Sequence, residues 1–386
     1  MRWISFLFAA AAFAGLGLWS PVRAEQMLVY IGTYTGSGSQ GIYAAKFDTA
    51  EGTLSEPSLA AESSNPSFVA LHPGGRYLYA VNEDAQYQGQ DSGAVSAYSV
   101  DRQSGRLTPL GSQPSGGAAP CHLAVDRTGK YVLAANYSGG STIVLPITEG
   151  GGLGPASDFV QHTGSSVDPR RQRAPHAHGV YLDPTNRFAL VADLGLDKVL
   201  IFRFNPQQGT LSPNEPAAAN VAPGSGPRHL AIHPSGRYVY AINEITSTLT
   251  AFQFDPQSGA MQQLHTLSTL PEGHEGGNST AEIQIHPSGK FLYGSNRGHN
   301  SIAIFRVDED SGRVTSLGHQ PSGGETPRNF NIDPTGQYLL AANQGSDDVV
   351  VFRIDAESGK LTATGESITV SRPVCVEFLP LAATAE

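Results

Sequence analysis

Five stretches of this chain share one framework: NPSFVALHPGGRYLYAVNED, APHAHGVYLDPTNRFALVAD, GPRHLAIHPSGRYVYAINEI, AEIQIHPSGKFLYGSNRG and TPRNFNIDPTGQYLLAANQG. Each has a lead-in segment, a tight turn, and an apolar run that reaches Asn or Asp. Aligned on the turn, the repeat places Gly75, Gly129, Asn186, Gly236, Gly289 and Gly336 in register, at spacings of 54, 57, 50, 53 and 47 residues. A period of this size is the mark of a repeat architecture. After each turn comes a short β-rich run, from Tyr77–Asn82 to Tyr338–Asn343, then an alternating strand such as TLTAFQFD or VVVFRID. A D-x-x-S-G type turn and a further strand follow. Runs rich in Val, Ile, Phe and Tyr between Gly, Pro, Ser and Asp turns read as strands.

Four strands in each unit of ~50 residues predict one all-β domain, a seven-bladed β-propeller with four-stranded blades. A pair of β-sandwiches would break the single period. The first run, Leu28–Thr33, lacks a preceding partner. Arg372–Pro380 matches the lead-in segment of the other copies, so the C-terminal strand should complete the first blade and close the ring. Closure leaves no open sheet edge. No helical period is visible after residue 24, nor any second domain. The 44 glycines and 26 prolines fit turn-rich structure and not disorder.

Residues 1–24 read as a signal peptide: a basic start, an apolar stretch from Ile4 to Trp19, and Val22-Arg23-Ala24 before Glu25. Export is therefore expected, with residues 25–386 as the mature propeller and no membrane attachment after cleavage. Removing Arg2 and Arg23 takes the net charge from −10 to −12, which argues against a nucleic-acid partner. Two cysteines, Cys121 and Cys375, do not make a disulfide framework and are expected to be buried free thiols. A closed ring needs no partner to cover its edges, so a monomer is expected.

In a propeller the first strand of each blade lines the channel and the second runs back beside it. Residues eight before and eight after each turn should then lie side by side at one rim. The positions eight before are Val374, Ser67, Cys121, His178, Arg228, Ala281 and Arg328. The positions eight after are Tyr34, Glu83, Tyr137, Leu194, Glu244, Arg297 and Gln344. The residues following the first set are Cys375, Phe68, His122, Gly179, His229, Glu282 and Asn329. Charge concentrates on the fourth to seventh blades, with Arg228 and Glu244 expected to pair across one hairpin. A strand framework that repeats while one rim varies toward charge is the signature of a site carried on a scaffold.

His72, His233 and His286, by contrast, belong to the repeated turn and read as structural. His176 and His178, two apart on a strand, should point to the same side, a spacing that can ligate a metal. No carboxylate or cysteine accompanies them at ligand spacing, so no metal and no cofactor is expected. The segment Asp168-Pro-Arg170-Arg171-Gln-Arg173 enters the fourth blade at the same rim, giving an acidic protein a locally positive mouth suited to an anionic ligand.

With P-H-A-H-G (175–179), G-P-R-H (226–229), Y-A-I-N-E (240–244), A-E-I-Q-I-H-P-S-G-K-F-L-Y-G-S-N-R-G (281–298) and P-R-N-F-N-I-D-P-T-G (327–336), the chain resembles the seven-bladed propeller lactonases. That family includes bacterial 6-phosphogluconolactonase and is related to the fungal carboxy-muconate lactonising enzyme. The likeness covers nearly all of residues 25–386. It implies hydrolysis of a sugar-acid lactone at one mouth of the channel, without a cofactor. The muconate enzyme uses a His, two Arg and a Glu there, which correspond by motif to His178, Arg228, Arg297 and Glu244. His176, His229, Glu282, Arg328 and Arg173 are expected to hold the substrate. Lactone formation by proton transfer, or an envelope propeller that only binds, are the competing expectations. Export also sits uneasily with a phosphorylated substrate of cytoplasmic metabolism, and an unphosphorylated lactone such as glucono-lactone is the alternative.

Overall fold

The computed structural model describes residues 26–36 and 38–381, so the expected signal peptide lies outside the described residues. Seven antiparallel sheets form the ring of a seven-bladed propeller, and no helix occurs among the described residues. From the channel outward, the fifth blade runs Pro227–Ile232, Tyr238–Asn243, Thr248–Phe254 and Met261–Ser268. Its neighbours repeat that order. In the first blade the outermost place is split between Thr53–Leu54 and Ser58–Glu62, both paired with Gly41–Asp48. The innermost strand of this blade is Pro373–Pro380, which pairs with Gln26–Thr33 through registers such as Val29↔Phe378. The ring is thus closed by the two ends of the chain, as the unpartnered first run required.

Strands in a propeller are covered on both faces, so apolar residues pack between blades. One such layer joins Val29, Ile31 and Phe47 of the first blade to Tyr338, Leu340, Val349 and Val351 of the seventh. The turn histidines bolt adjacent blades together. His72, His233 and His286 each place Nε2 on a turn carbonyl of the next blade, Gly129 O, Gly289 O and Gly336 O, at 3.1, 3.2 and 2.8 Å. The turn itself needs a left-handed residue. Gly236 has φ +68°, and where the fourth blade carries Asn186 the chain still adopts φ +60°, a conformation asparagine tolerates.

Candidate active site at the channel mouth

The rim positions eight before each turn share a feature that spacing does not reveal. In the fifth blade Pro227 pairs with Asn243 and His229 with Ile242, so Arg228 is the extra residue of a β-bulge. The same slip isolates Val374, Cys121, His178 and Arg328 in their blades. A bulge re-aims the side chain it carries. Here it turns one residue in each of these five inner strands out of the period-two alternation and toward the mouth. Arg228 and Glu244 are therefore not opposite neighbours in the ladder, yet they do meet.

Glu244 follows the strand Tyr238–Asn243 and is the hub of the charges. Its Oε2 accepts from Arg228 Nε at 3.0 Å and lies 3.0 Å from Arg297 Nη2. Its Oε1 accepts from Arg171 Nη2 at 2.6 Å. Burial pushes the Glu244 carboxyl up, but Arg297, Arg228 and Arg171 outweigh it and hold the group down at about 2. His178, 5% exposed, sets Nε2 3.9 Å from Glu244 Oε2 and Nδ1 3.6 Å from Cys121 Sγ. Burial, and after it the charge of Arg228, pushes this imidazole well below its usual 6.5, so it is neutral at pH 7.

The expected quartet His178, Arg228, Glu244 and Arg297 is thus brought together from the fourth, fifth and sixth blades. A narrow pit opens beside it, lined by His178, Arg228, His229, Arg328, Cys121 and, from the first two blades, Tyr34, Ser67 and Glu83 among others. Arg297 stands back from this wall. Its Nη2 donates to Thr280 O at 2.7 Å, and its buried Nε has no partner among the described residues. Burial pushes Arg297 down to about 9, which leaves it charged at neutral pH.

Of the residues expected to hold substrate, Arg328 and His229 line the pit. Glu282 lies beneath it, where Oε2 meets His229 Nδ1 at 3.1 Å and accepts from Asn329 Nδ2 at 2.6 Å. Burial raises this carboxyl to about 7 against the pull of Arg228. His176 and Arg173 are not brought in. His176 stacks on Tyr137 at 4.6 Å and places Nδ1 on Tyr137 O at 2.9 Å. The bulge at His178 breaks the alternation that would have put the two histidines on one side. Among the described residues, no three His, Cys, Asp or Glu side chains are arranged to hold a metal ion. Arg173 is exposed, and its Nε donates to Pro169 O within its own loop. It is Arg171 that turns inward, bonding Tyr137 Oη at 3.1 Å as well as Glu244. Cys121 and Cys375 are both buried free thiols.

Sequence reasoning passed over Tyr34, Ser67, Glu83 and Tyr137 as site residues. The signal was available, since all four occupy the same two register positions as His178 and Glu244. Three of the four carry no charge, and the charge-rich positions lie on the later blades.

The family model for the seven-bladed β-propeller lactonases matches residues 28–378. A Bacillus subtilis protein named 6-phosphogluconolactonase is 37% identical over 298 residues, 76% of this chain and 82% of its own. A crystal structure of a putative 6-phosphogluconolactonase from Bacteroides fragilis superimposes with a TM-score of 0.86 at 38% identity, covering 92% of this chain and 98% of that one. The periplasmic gluconolactonase of Pseudomonas aeruginosa gives 0.86 at 33% identity, covering 92% and 99%. The closed seven-blade ring and these matches agree: the chain belongs to the seven-bladed β-propeller lactonase family.

Proposed function

We propose that this protein hydrolyses a sugar-acid lactone at the channel mouth, and that it does so after export. The observation that carries the reading is a neutral, buried histidine beside a surplus of positive charge. His178 shares one mouth with Arg171, Arg228, Arg297 and Arg328, against the carboxylates Glu244 and Glu83. The relatives named as lactonases support the chemistry. The periplasmic gluconolactonase and the apolar, Ala-terminated leader support an extracytoplasmic, unphosphorylated substrate.

In this reading His178 takes a proton from water as it attacks the lactone carbonyl. Arg228 lines the pit and uses Nε on Glu244 and Nη1 on Ala281 O. Its Nη2 is left to hold the oxyanion that develops on the carbonyl oxygen. Collapse of the tetrahedral intermediate breaks the ring C–O bond. The departing alkoxide takes back the proton from His178, leaving a hydroxy acid. Glu244, with Arg171 and Arg297 locked to it, is a positioning residue that aims Arg228. Each step uses protein groups and water.

The test is turnover of glucono-δ-lactone by residues 25–386, measured against spontaneous hydrolysis, with H178A beside it. Loss of 100-fold or more in kcat, in a variant that melts like the parent, is expected from removal of a general base. Parent-like turnover by H178A would refute the assignment. Product free of solvent oxygen-18 would favour proton-transfer lactonisation.

A further inference from the structure

The wall of the pit opposite His178 has no part in the chemistry above, yet it is built with care. Glu83 Oε2 accepts two hydrogen bonds, from Tyr34 Oη at 2.8 Å and from Ser67 Oγ at 2.5 Å. Arg328 Nη2 donates to the same Tyr34 oxygen at 2.8 Å, and its guanidinium carbon lies 5.3 Å from the centre of the Tyr34 ring. The single phenolic proton is committed to Glu83, so the tyrosine holds carboxylate and guanidinium side by side without letting them touch. Among the described residues, no ion pair within 4.0 Å forms at either.

Both donors to Glu83 use Oε2. Among the described residues nothing donates to Oε1, and no carboxylate pairs with Arg328. One cavity wall therefore offers an unused charged acceptor beside an unused charged donor. A hydroxyl is the group that satisfies both, since it gives its proton to a carboxylate and accepts from a guanidinium. A ring bearing adjacent hydroxyls fits; a bare hydrocarbon ring would strip water from both groups and return nothing. A phosphate on this wall would face the Glu83 carboxylate.

We propose that Glu83 and Arg328, held apart and aimed by Tyr34, form a hydroxyl-reading subsite that selects polyhydroxylated lactones over plain ones. This rests on the lactonase reading and adds to it a specificity determinant on the first, second and seventh blades.

The experiment compares glucono-δ-lactone with δ-valerolactone, the same six-membered ring without hydroxyls, in the parent and in E83Q and Y34F. Glu83→Gln keeps the shape and an acceptor for Tyr34, but removes the charged oxygen. E83Q is expected to lower kcat/KM for glucono-δ-lactone roughly 30-fold more than for δ-valerolactone, the size of one lost charge-assisted hydrogen bond. Y34F should shift the same ratio in the same direction, because Glu83 and Arg328 lose their spacer. An unchanged ratio in E83Q overturns the proposal, as does an equal loss on both lactones. If the parent turns over neither lactone, the hydrolase reading fails by itself. The subsite is then decided by calorimetric binding of gluconate, with at least tenfold weaker binding by E83Q supporting it and equal binding overturning it.

Discussion

Replacing Glu244 by glutamine keeps the shape of the hub and removes its charge. The carboxyl stands at about 2 against an ordinary 4.5, which corresponds to ~3 kcal/mol of preference for the ionised form in the folded protein. The sign follows from the direction of the shift. A carboxyl with a depressed folded pKa stabilises fully above 4.5, and that stability drains away as pH falls toward 2. E244Q should therefore be ~3 kcal/mol less stable at pH 7, a drop in melting temperature of roughly 4 °C for a domain of this length. At pH 3 the gap should shrink to about half. Thermal melts of parent and variant at the two pH values, followed by circular dichroism, measure both quantities. Parent-like melting at pH 7, or a gap that does not narrow at pH 3, would refute the view that three arginines depend on one ionised carboxylate. The stability readout is independent of substrate, so it tests the hub even where turnover is lost.

Two further outcomes are expected. Cys121 Sγ lies 3.6 Å from His178 Nδ1, which resembles a nucleophile beside its base. Burial pushes the thiol up, and the Ala177 and His178 carbonyls lie 3.7 and 3.5 Å from the sulfur as acceptors for its proton. C121A should keep turnover within about threefold; a loss of 100-fold together with a covalent adduct on Cys121 in mass spectra would move the mechanism to an acyl-enzyme. The acid limb of kcat/KM should fall well below pH 6.5, because burial and Arg228 hold His178 neutral to lower pH. An unperturbed imidazole would lose roughly three-quarters of its free-base form by pH 6.0, so a flat profile between pH 7.5 and 6.0 separates the two cases.

Blade number and ring closure were legible because strands and turns recur with identical chemistry, and because Leu28–Thr33 visibly lacked a partner until Arg372–Pro380 supplied one. The Arg228–Glu244 contact was legible from counting alone. What counting could not supply was the bulge, since an extra residue in one strand leaves no trace in composition or periodicity. That omission explains why His176 and His178 were expected to face one way. It also explains why a bulged arginine finds its partner by side-chain reach and not by cross-strand register. The loop of arginines was legible as positive charge but not as geometry. Asp168 caps the turn through Arg170 and Arg171 backbone N–H groups, and that turn decides that Arg171 points inward and Arg173 outward. The hydroxyl-reading wall was hidden for another reason. Tyr34 and Ser67 carry no charge, and Glu83 is a single acid two blades from the rest.

The seam between Gln26–Thr33 and Pro373–Pro380 also ties the mouth to both ends of the chain. Ribosomes deliver a chain from its N-terminus, so the first blade stays one strand short until Pro373–Pro380 has been made. Tyr34 sits just past that first strand, while its partner Arg328 sits in the seventh blade. A chain cut before Pro373 would leave the first blade a strand short beside the wall that Tyr34 and Arg328 build together. Closure of the ring thus sets a wall drawn from both ends of the chain opposite the charged hub of its middle blades.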